Sequence, residues 1–113
     1  MEWIKIVLKE LSLGNDVRLI GKGNSMSPLI KDTDTITITP YTSQLLQKED
    51  IVLVRLNNKY LTHKILDIQN DKYVISNMKN KIDGVCDISS ILGIIIEINS
   101  QSPFSGITVE EIV

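Results

Sequence analysis

The chain has 113 residues and contains no alanine, one cysteine and one histidine. A single cysteine, Cys86, excludes a disulfide bond within the chain. One thiol and one imidazole also cannot supply the four side chains of a structural zinc site. We therefore expect no metal and no other cofactor. The lone thiol favours a reducing, cytoplasmic setting.

The chain also lacks a large excess of either positive or negative charge. Lysine and arginine number 12 against 14 aspartate and glutamate residues, and the formal net charge is −2. Nucleic-acid binding requires a concentrated basic surface that neutralises phosphates. Because no such cluster is present, we expect no nucleic acid among the partners.

No apolar run reaches the roughly 20 residues that a membrane-spanning helix needs. Residues 2–13 instead predict an amphipathic helix that ends at Gly14 and Asn15. We expect its apolar face to pack on the domain or on a second copy of the chain, as in a homodimer. A helix lying in a membrane interface is the alternative. The apolar positions at helical spacing are Trp3, Ile4, Val7, Leu8 and Leu11.

The abundant residues are isoleucine, valine and threonine, whose branched side chains favour strands over helices. We therefore predict a mainly β fold, compact and partly closed, with one N-terminal helix. The continuous apolar character of residues 91–98 predicts burial on both faces of that strand. Alternation and turn residues predict strands at 17–20, 35–39, 51–56, 60–68, 73–75 and 91–98, with hairpin turns at 57–59 and 69–71.

The segment Gly21–Ile30 places a serine, Ser25, between glycines and a proline. Backbone amides of a glycine-rich loop can face inward and stabilise an oxyanion beside a hydroxyl. A serine hydroxyl also needs a base to take its proton, and His63 is the chain's sole histidine. A neutral imidazole performs that role near physiological pH. Taken singly, Ser25 also fits an ordinary turn and His63 a polar strand position.

Three segments together resemble the signal-peptidase/LexA superfamily of serine peptidases. Residues 23–28, Gly-Asn-Ser-Met-Ser-Pro, resemble its Ser-Met-x-Pro box. Residues 48–54 resemble its Gly-Asp-Ile-Val strand, with Glu49 where glycine is usual. Residues 62–66 resemble the box that contains the catalytic base. In the archaeal and endoplasmic-reticulum branch, this box has histidine followed by arginine. Here His63 is followed by Lys64. The resemblance extends from about residue 20 to residue 98.

The resemblance implies one peptidase-like domain over residues 1–113, with the helix at 1–14, the core at 20–98 and a loosely attached C-terminal tail at 99–113. It implies a serine endopeptidase that cleaves an extended protein or peptide segment through an acyl-enzyme, with Ser25 as nucleophile and His63 as base. Amides of Ser25 and the Gly23 region are implied as oxyanion donors, and Met26 as substrate-side wall or core. Since no membrane anchor is seen, we expect a cytoplasmic enzyme.

The sequence departs from the family pattern in the last of the family's conserved boxes. The His-using branch has Gly-Asp-x-Asn followed shortly by Asp, whereas Met78 stands at the place of the first acid. Asp83 lies near the second acid and is the candidate for orienting His63, with Asp87 the weaker candidate. Solvated turn positions are the alternative for both. The missing acid also leaves open a second function, a catalytically decayed binding or dimerisation module of the same fold.

Two lysines deserve consideration as bases in place of the histidine. A lysine acts as a base only where burial lowers its pKa. Lys64 should point to the strand face opposite His63, and Lys59 lies in a predicted hairpin turn. We expect both to be solvated.

Overall fold

The computed structural model describes residues 2–110, which form one α-helix and a single eight-stranded sheet. The predicted class, mainly β with one N-terminal helix, is confirmed. A short 3-10 turn, Ile88–Ser90, precedes β7. The elements are α1 (Glu2–Ser12), β1 (Val17–Ile20), β2 (Thr35–Pro40), β3 (Ile51–Leu56), β4 (Lys59–Gln69), β5 (Lys72–Ser76), β6 (Ile82–Cys86), β7 (Ile91–Ile98) and β8 (Ile107–Glu110).

The sheet has the strand order β6-β5-β4-β3-β7-β2-β1-β8. All neighbours are antiparallel except β1 and β8, which are parallel. The predicted hairpins between β3, β4 and β5 are present. Their turns place Asn57 and Asn58, and then Asn70 and Asp71, at positive φ. Two consecutive residues at positive φ are what tight hairpin turns require, and asparagine and aspartate tolerate that backbone better than most side chains.

Helix α1 packs its apolar face on the sheet, as predicted. Trp3, Ile4, Val7 and Leu11 are all buried, and they belong to one core cluster with sheet residues such as Leu19. Within residues 2–110, the structure contains no helix with the length and apolar character needed to cross a bilayer.

The C-terminal segment differs from the loosely attached tail that the sequence suggested. Residues 107–110 form β8, which pairs in parallel with β1, and Val109 is buried. The guanidinium of Arg18 lies 4.4 Å from the centroid of the Phe104 ring and donates a hydrogen bond to the carbonyl of Ser102 at 3.2 Å. The expectation of a loose tail is therefore wrong for residues 102–110, and its end at 111–113 lies outside the described residues.

Strand β7 also differs from its prediction in one respect. It lies between β3 and β2, and Ile91 is buried, but Ile96 is half exposed. The prediction of burial on both faces is therefore wrong at Ile96. The hydrogen bonds of a central strand secure its two edges, whereas burial of its faces depends on which other elements cover them.

Candidate active site

The loop between β1 and β2 carries Ser25. Its two ends are joined by backbone hydrogen bonds from Gly21 to the Asp34 carbonyl (3.1 Å) and from Thr33 to the Gly21 carbonyl (3.0 Å). Ser25 is exposed at the surface of this loop, whereas the next side chain, Met26, is 97% buried in the core. The loop therefore presents the hydroxyl outward while its neighbour anchors the backbone.

His63 lies in β4, directly opposite Val52 of β3, and is buried. Its Nε2 atom is 3.0 Å from Oγ of Ser25, although 38 residues separate the two in sequence. The hydroxyl donates to Nε2 when that nitrogen carries no proton. The buried imidazole of His63 is thus within hydrogen-bond distance of the exposed hydroxyl of Ser25.

Asp83 reaches His63 because β6 contains a bulge. Ile75 of β5 pairs with Gly84, and the next residue, Ser76, pairs with Ile82, so Asp83 is the extra residue without a partner. Such bulges redirect a side chain out of the regular alternation. The Asp83 Oδ2 atom lies 2.6 Å from Nδ1 of His63. A carboxylate at that distance holds the proton on Nδ1 and leaves Nε2 as the acceptor.

Asp87, the weaker candidate, has a different partner. Its carboxylate forms a close ion pair with the ammonium of Lys72, which raises the pKa of that lysine. Asp83, in contrast, is only partly exposed and contacts the imidazole. The structure therefore brings one of the two sequence candidates to His63.

The two lysines considered as bases lie apart from this arrangement. Lys59 is exposed at the start of β4, as expected. Lys64 is buried, contrary to the expectation that it is solvated, and its Nζ lies 3.2 Å from the carboxylate of Glu49. Glu49 occupies the position where the family has glycine and has φ +76°, in the left-handed region. The ion pair with Lys64 gives a physical reason for a glutamate at a glycine-type backbone position.

The Gly23 amide does not fit the oxyanion role assigned to it. Its N–H donates to Oδ1 of Asp32 at 2.8 Å, so this donor already has an acceptor. The implied role of Gly23 as an oxyanion donor is therefore wrong for this conformation. The Ser25 amide has no hydrogen-bond partner in the part of the chain that the structure describes, and it remains the candidate donor. Sequence reasoning missed Asp32, because no local pattern links it to a residue nine positions earlier.

A sequence model of Peptidase S24-like proteins matches residues 3–85. This range includes all of α1 except its first residue, together with the loop of Ser25, His63 and Asp83, and it covers well over half of the chain. The chain belongs to the Peptidase S24-like family. The resemblance to the signal-peptidase/LexA superfamily is thereby confirmed, and membership implies serine peptidase chemistry on a protein substrate. Comparison of this S24-like chain with curated proteins gave no match.

In this S24-like protein, the residue at the place of the missing acid is part of the core. Met78 is half-buried and packs against the cluster that contains Met26. Its backbone N–H donates to the carbonyl of Ser25 at 3.3 Å. Met78 therefore joins the loop before β6 to the loop of Ser25 through its backbone, and its side chain contributes apolar packing.

A small cavity lies beside Ser25 in the S24-like fold. Its volume of about 30 Å³ is enough for one small group. Met26 lines the cavity and also belongs to the core, and its role as a substrate-side wall stays a prediction. The other side chains that line the cavity are those of Lys22, Ile30, Lys31, Ile36 and Thr62.

Proposed function

We propose that this S24-like protein is a serine endopeptidase in which Ser25 is the nucleophile, His63 the general base and Asp83 the residue that orients the imidazole. The observation that carries the proposal is the continuous series of contacts, 3.0 Å from Ser25 Oγ to His63 Nε2 and 2.6 Å from His63 Nδ1 to Asp83 Oδ2. Such a triad is recognised by geometry and roles, whatever the order of its members in sequence.

The proposed reaction begins when Oγ of Ser25 attacks a peptide carbonyl and His63 takes the hydroxyl proton at Nε2. The carbonyl oxygen becomes an oxyanion, which the Ser25 amide stabilises by about 3 kcal/mol if it behaves like other such donors. The imidazolium, stabilised by Asp83, then gives its proton to the amine as the C–N bond breaks. An acyl-enzyme ester remains. Water, deprotonated by His63, hydrolyses the ester and regenerates Ser25.

The proposed substrate is an extended protein or peptide segment with a small residue at the scissile bond. An extended segment can bind by adding main-chain hydrogen bonds along a strand, with specificity supplied by pockets for its side chains. The cavity beside Ser25 is small, about 30 Å³, and its closely packed lining favours a small side chain over a large one. We therefore expect glycine or alanine on the acyl side of the cleaved bond.

The alternative, a decayed binding module, was motivated by the methionine at position 78. The position of Asp83 weakens that argument, because its carboxylate already lies 2.6 Å from Nδ1 of His63. The loss of the first acid therefore leaves the imidazole with a carboxylate partner. The endopeptidase is the proposal that accounts for all three polar side chains.

The test is acylation by a fluorophosphonate, followed by intact mass and peptide mapping. We expect one phosphonyl group on Ser25, none in Ser25→Ala, and labelling slowed by at least about 10³-fold in His63→Gln. The matched control is Ser27→Ala, which removes a hydroxyl two residues away and should label at the parent rate. Absence of labelling in the folded parent protein, together with no cleavage of a peptide library, would favour the binding module.

A further inference from the structure

Two side chains in the loop of Ser25 accept hydrogen bonds from backbone N–H groups across the loop. Asp32 Oδ1 accepts the N–H of Gly23 at 2.8 Å, and Asn24 Oδ1 accepts the N–H of Asp32 at 3.1 Å. We call these two linked hydrogen bonds the Asn24–Asp32 clamp. It fixes the two residues that directly precede Ser25 to the far side of the same loop.

The clamp matters because Ser25 is exposed and lies outside the strands. On its C-terminal side, the backbone is held by a hydrogen bond from Ile30 to the Met26 carbonyl at 2.9 Å. On its N-terminal side, the clamp provides the side-chain contacts at Gly23 and Asn24. A displacement of a reacting atom by about 1 Å can cost about 100-fold in rate. The backbone before the nucleophile therefore needs to be fixed.

We propose that Asp32 and Asn24 are positioning residues that hold Ser25 Oγ within reach of His63 Nε2 and fix the direction of the Ser25 amide. This inference rests on the proposed function of Ser25 as a nucleophile. Neither residue is proposed to contact the substrate bond. Asp32 acts through the backbone N–H of Gly23, and Asn24 acts through the backbone N–H of Asp32.

The contact at Gly23 requires an acceptor and does not require a charge. The variant Asp32→Asn retains a carbonyl oxygen that can accept the Gly23 N–H, and it removes the negative charge of the carboxylate. Alanine removes the acceptor. A positioning role for Asp32 therefore predicts that Asp32→Asn keeps the labelling rate of the parent protein, whereas Asp32→Ala lowers it.

Asp34 offers a matched control in the same loop. Its Oδ2 accepts the N–H of Lys31 at 2.8 Å, a contact of the same kind as that of Asp32. It holds the Lys31–Asp34 turn and does not reach the residues before Ser25. Asp34→Ala therefore removes a similar carboxylate contact without releasing the clamp.

The experiment compares fluorophosphonate labelling rates of the 113-residue protein and its variants, with thermal unfolding of each. We expect Asp32→Ala to label about 100-fold more slowly than the parent, whereas Asp32→Asn and Asp34→Ala label at close to the parent rate. Asn24→Ala should fall between Asp32→Ala and the parent. In peptide cleavage, the loss should appear mainly in kcat, since neither Asn24 nor Asp32 lines the cavity beside Ser25.

Amide hydrogen exchange at Gly23 provides a readout that does not depend on activity. The Gly23 N–H should exchange slowly in the parent and in Asp32→Asn, and rapidly in Asp32→Ala. If Asp32→Ala labels at the parent rate, or if Asp32→Ala and Asp34→Ala slow labelling equally, the positioning role is wrong while the endopeptidase proposal stands. A folded parent that never labels overturns both proposals.

Discussion

The carboxylate of Asp83 lies 2.6 Å from Nδ1 of His63, 20 residues away in sequence and on a different strand. The bulge in β6 produces this contact, because it removes Asp83 from the pairing of its neighbours. The position of one irregular residue thus decides which nitrogen of the imidazole carries the proton. That choice leaves Nε2 as the acceptor that faces Ser25.

Asp83→Asn should reduce the rate of peptide cleavage strongly. The asparagine amide can donate to Nδ1 and thereby favour the tautomer with its proton on Nε2, which is unable to accept from Ser25. We expect kcat to fall by about 10⁴-fold, as in comparable triads, with KM little changed. The control is Asp87→Asn, which removes the partner of Lys72 and should leave kcat unchanged. Equal losses in the two variants would contradict the role of Asp83.

Met78→Asp tests whether the missing family acid is needed. Met78 packs against the core, so a carboxylate there should cost about 1–3 kcal/mol in the free energy of unfolding. Because Asp83 already contacts Nδ1, we expect no increase in kcat. Denaturant unfolding and cleavage kinetics measure the two effects, with Met78→Leu as the packing control. A clear rise in kcat for Met78→Asp would mean that Asp83 is an incomplete replacement.

Arg18→Ala should loosen the segment that leads into β8. The guanidinium contacts the ring of Phe104 and the carbonyl of Ser102, and its Nε donates to Thr37 Oγ1 at 3.2 Å. We expect a loss of about 2 kcal/mol in the free energy of unfolding and faster proteolysis at residues 102–106. The matched control is Arg55→Ala, because Arg55 is exposed and contacts Asn58 in a hairpin turn. Similar losses in both variants would count against this anchoring role.

Cys86 should react slowly with alkylating reagents in the folded protein. Burial raises the pKa of the Cys86 thiol above its ordinary value of 9.0, so the thiolate is scarcer than in the unfolded chain. We expect iodoacetamide to modify the urea-unfolded protein much faster than the folded protein near neutral pH. Equal rates in the two states would show that the thiol is not protected.

The same shift affects stability at alkaline pH. The unfolded chain loses the thiol proton first, at the ordinary value of 9.0, whereas the folded protein retains it to a higher pH. The free energy of unfolding should therefore decrease as pH rises above about 9, and this decrease should be smaller in Cys86→Ala. Denaturant titrations on both sides of that pH measure the difference.

Much of the sheet could be predicted from local sequence. Strands β1 to β5 and β7 are signalled by alternating or continuous apolar residues, and asparagine or aspartate marks the two tight turns. The sequence patterns did not predict strands β6 and β8, and the reason is physical. Strand β6 contains Asp83 and Gly84, which disfavour strands, and β8 has only four residues. Both lie at the edges of the sheet, where pairing with distant strands decides the structure.

The candidate site was predicted from the order of family boxes and not from periodicity. Ser25, His63 and Asp83 were each identified in this way, and the structure brings their side chains together. The occupied amide of Gly23 was not foreseen, because its partner Asp32 is chosen by the shape of the loop. The ion pair of buried Lys64 with exposed Glu49 was missed for a similar reason, since it joins β4 to the turn before β3.

Asp83 resides on β6, a terminal strand of the sheet that is paired only with β5 among the described residues. A terminal strand can detach at a smaller free-energy cost than global unfolding. Detachment of β6 would withdraw the carboxylate from His63 while the rest of the sheet stays intact. As urea is added, peptide hydrolysis should then be lost at a lower concentration than the circular dichroism signal. The protein would thus lose its catalytic activity before its sheet unfolds.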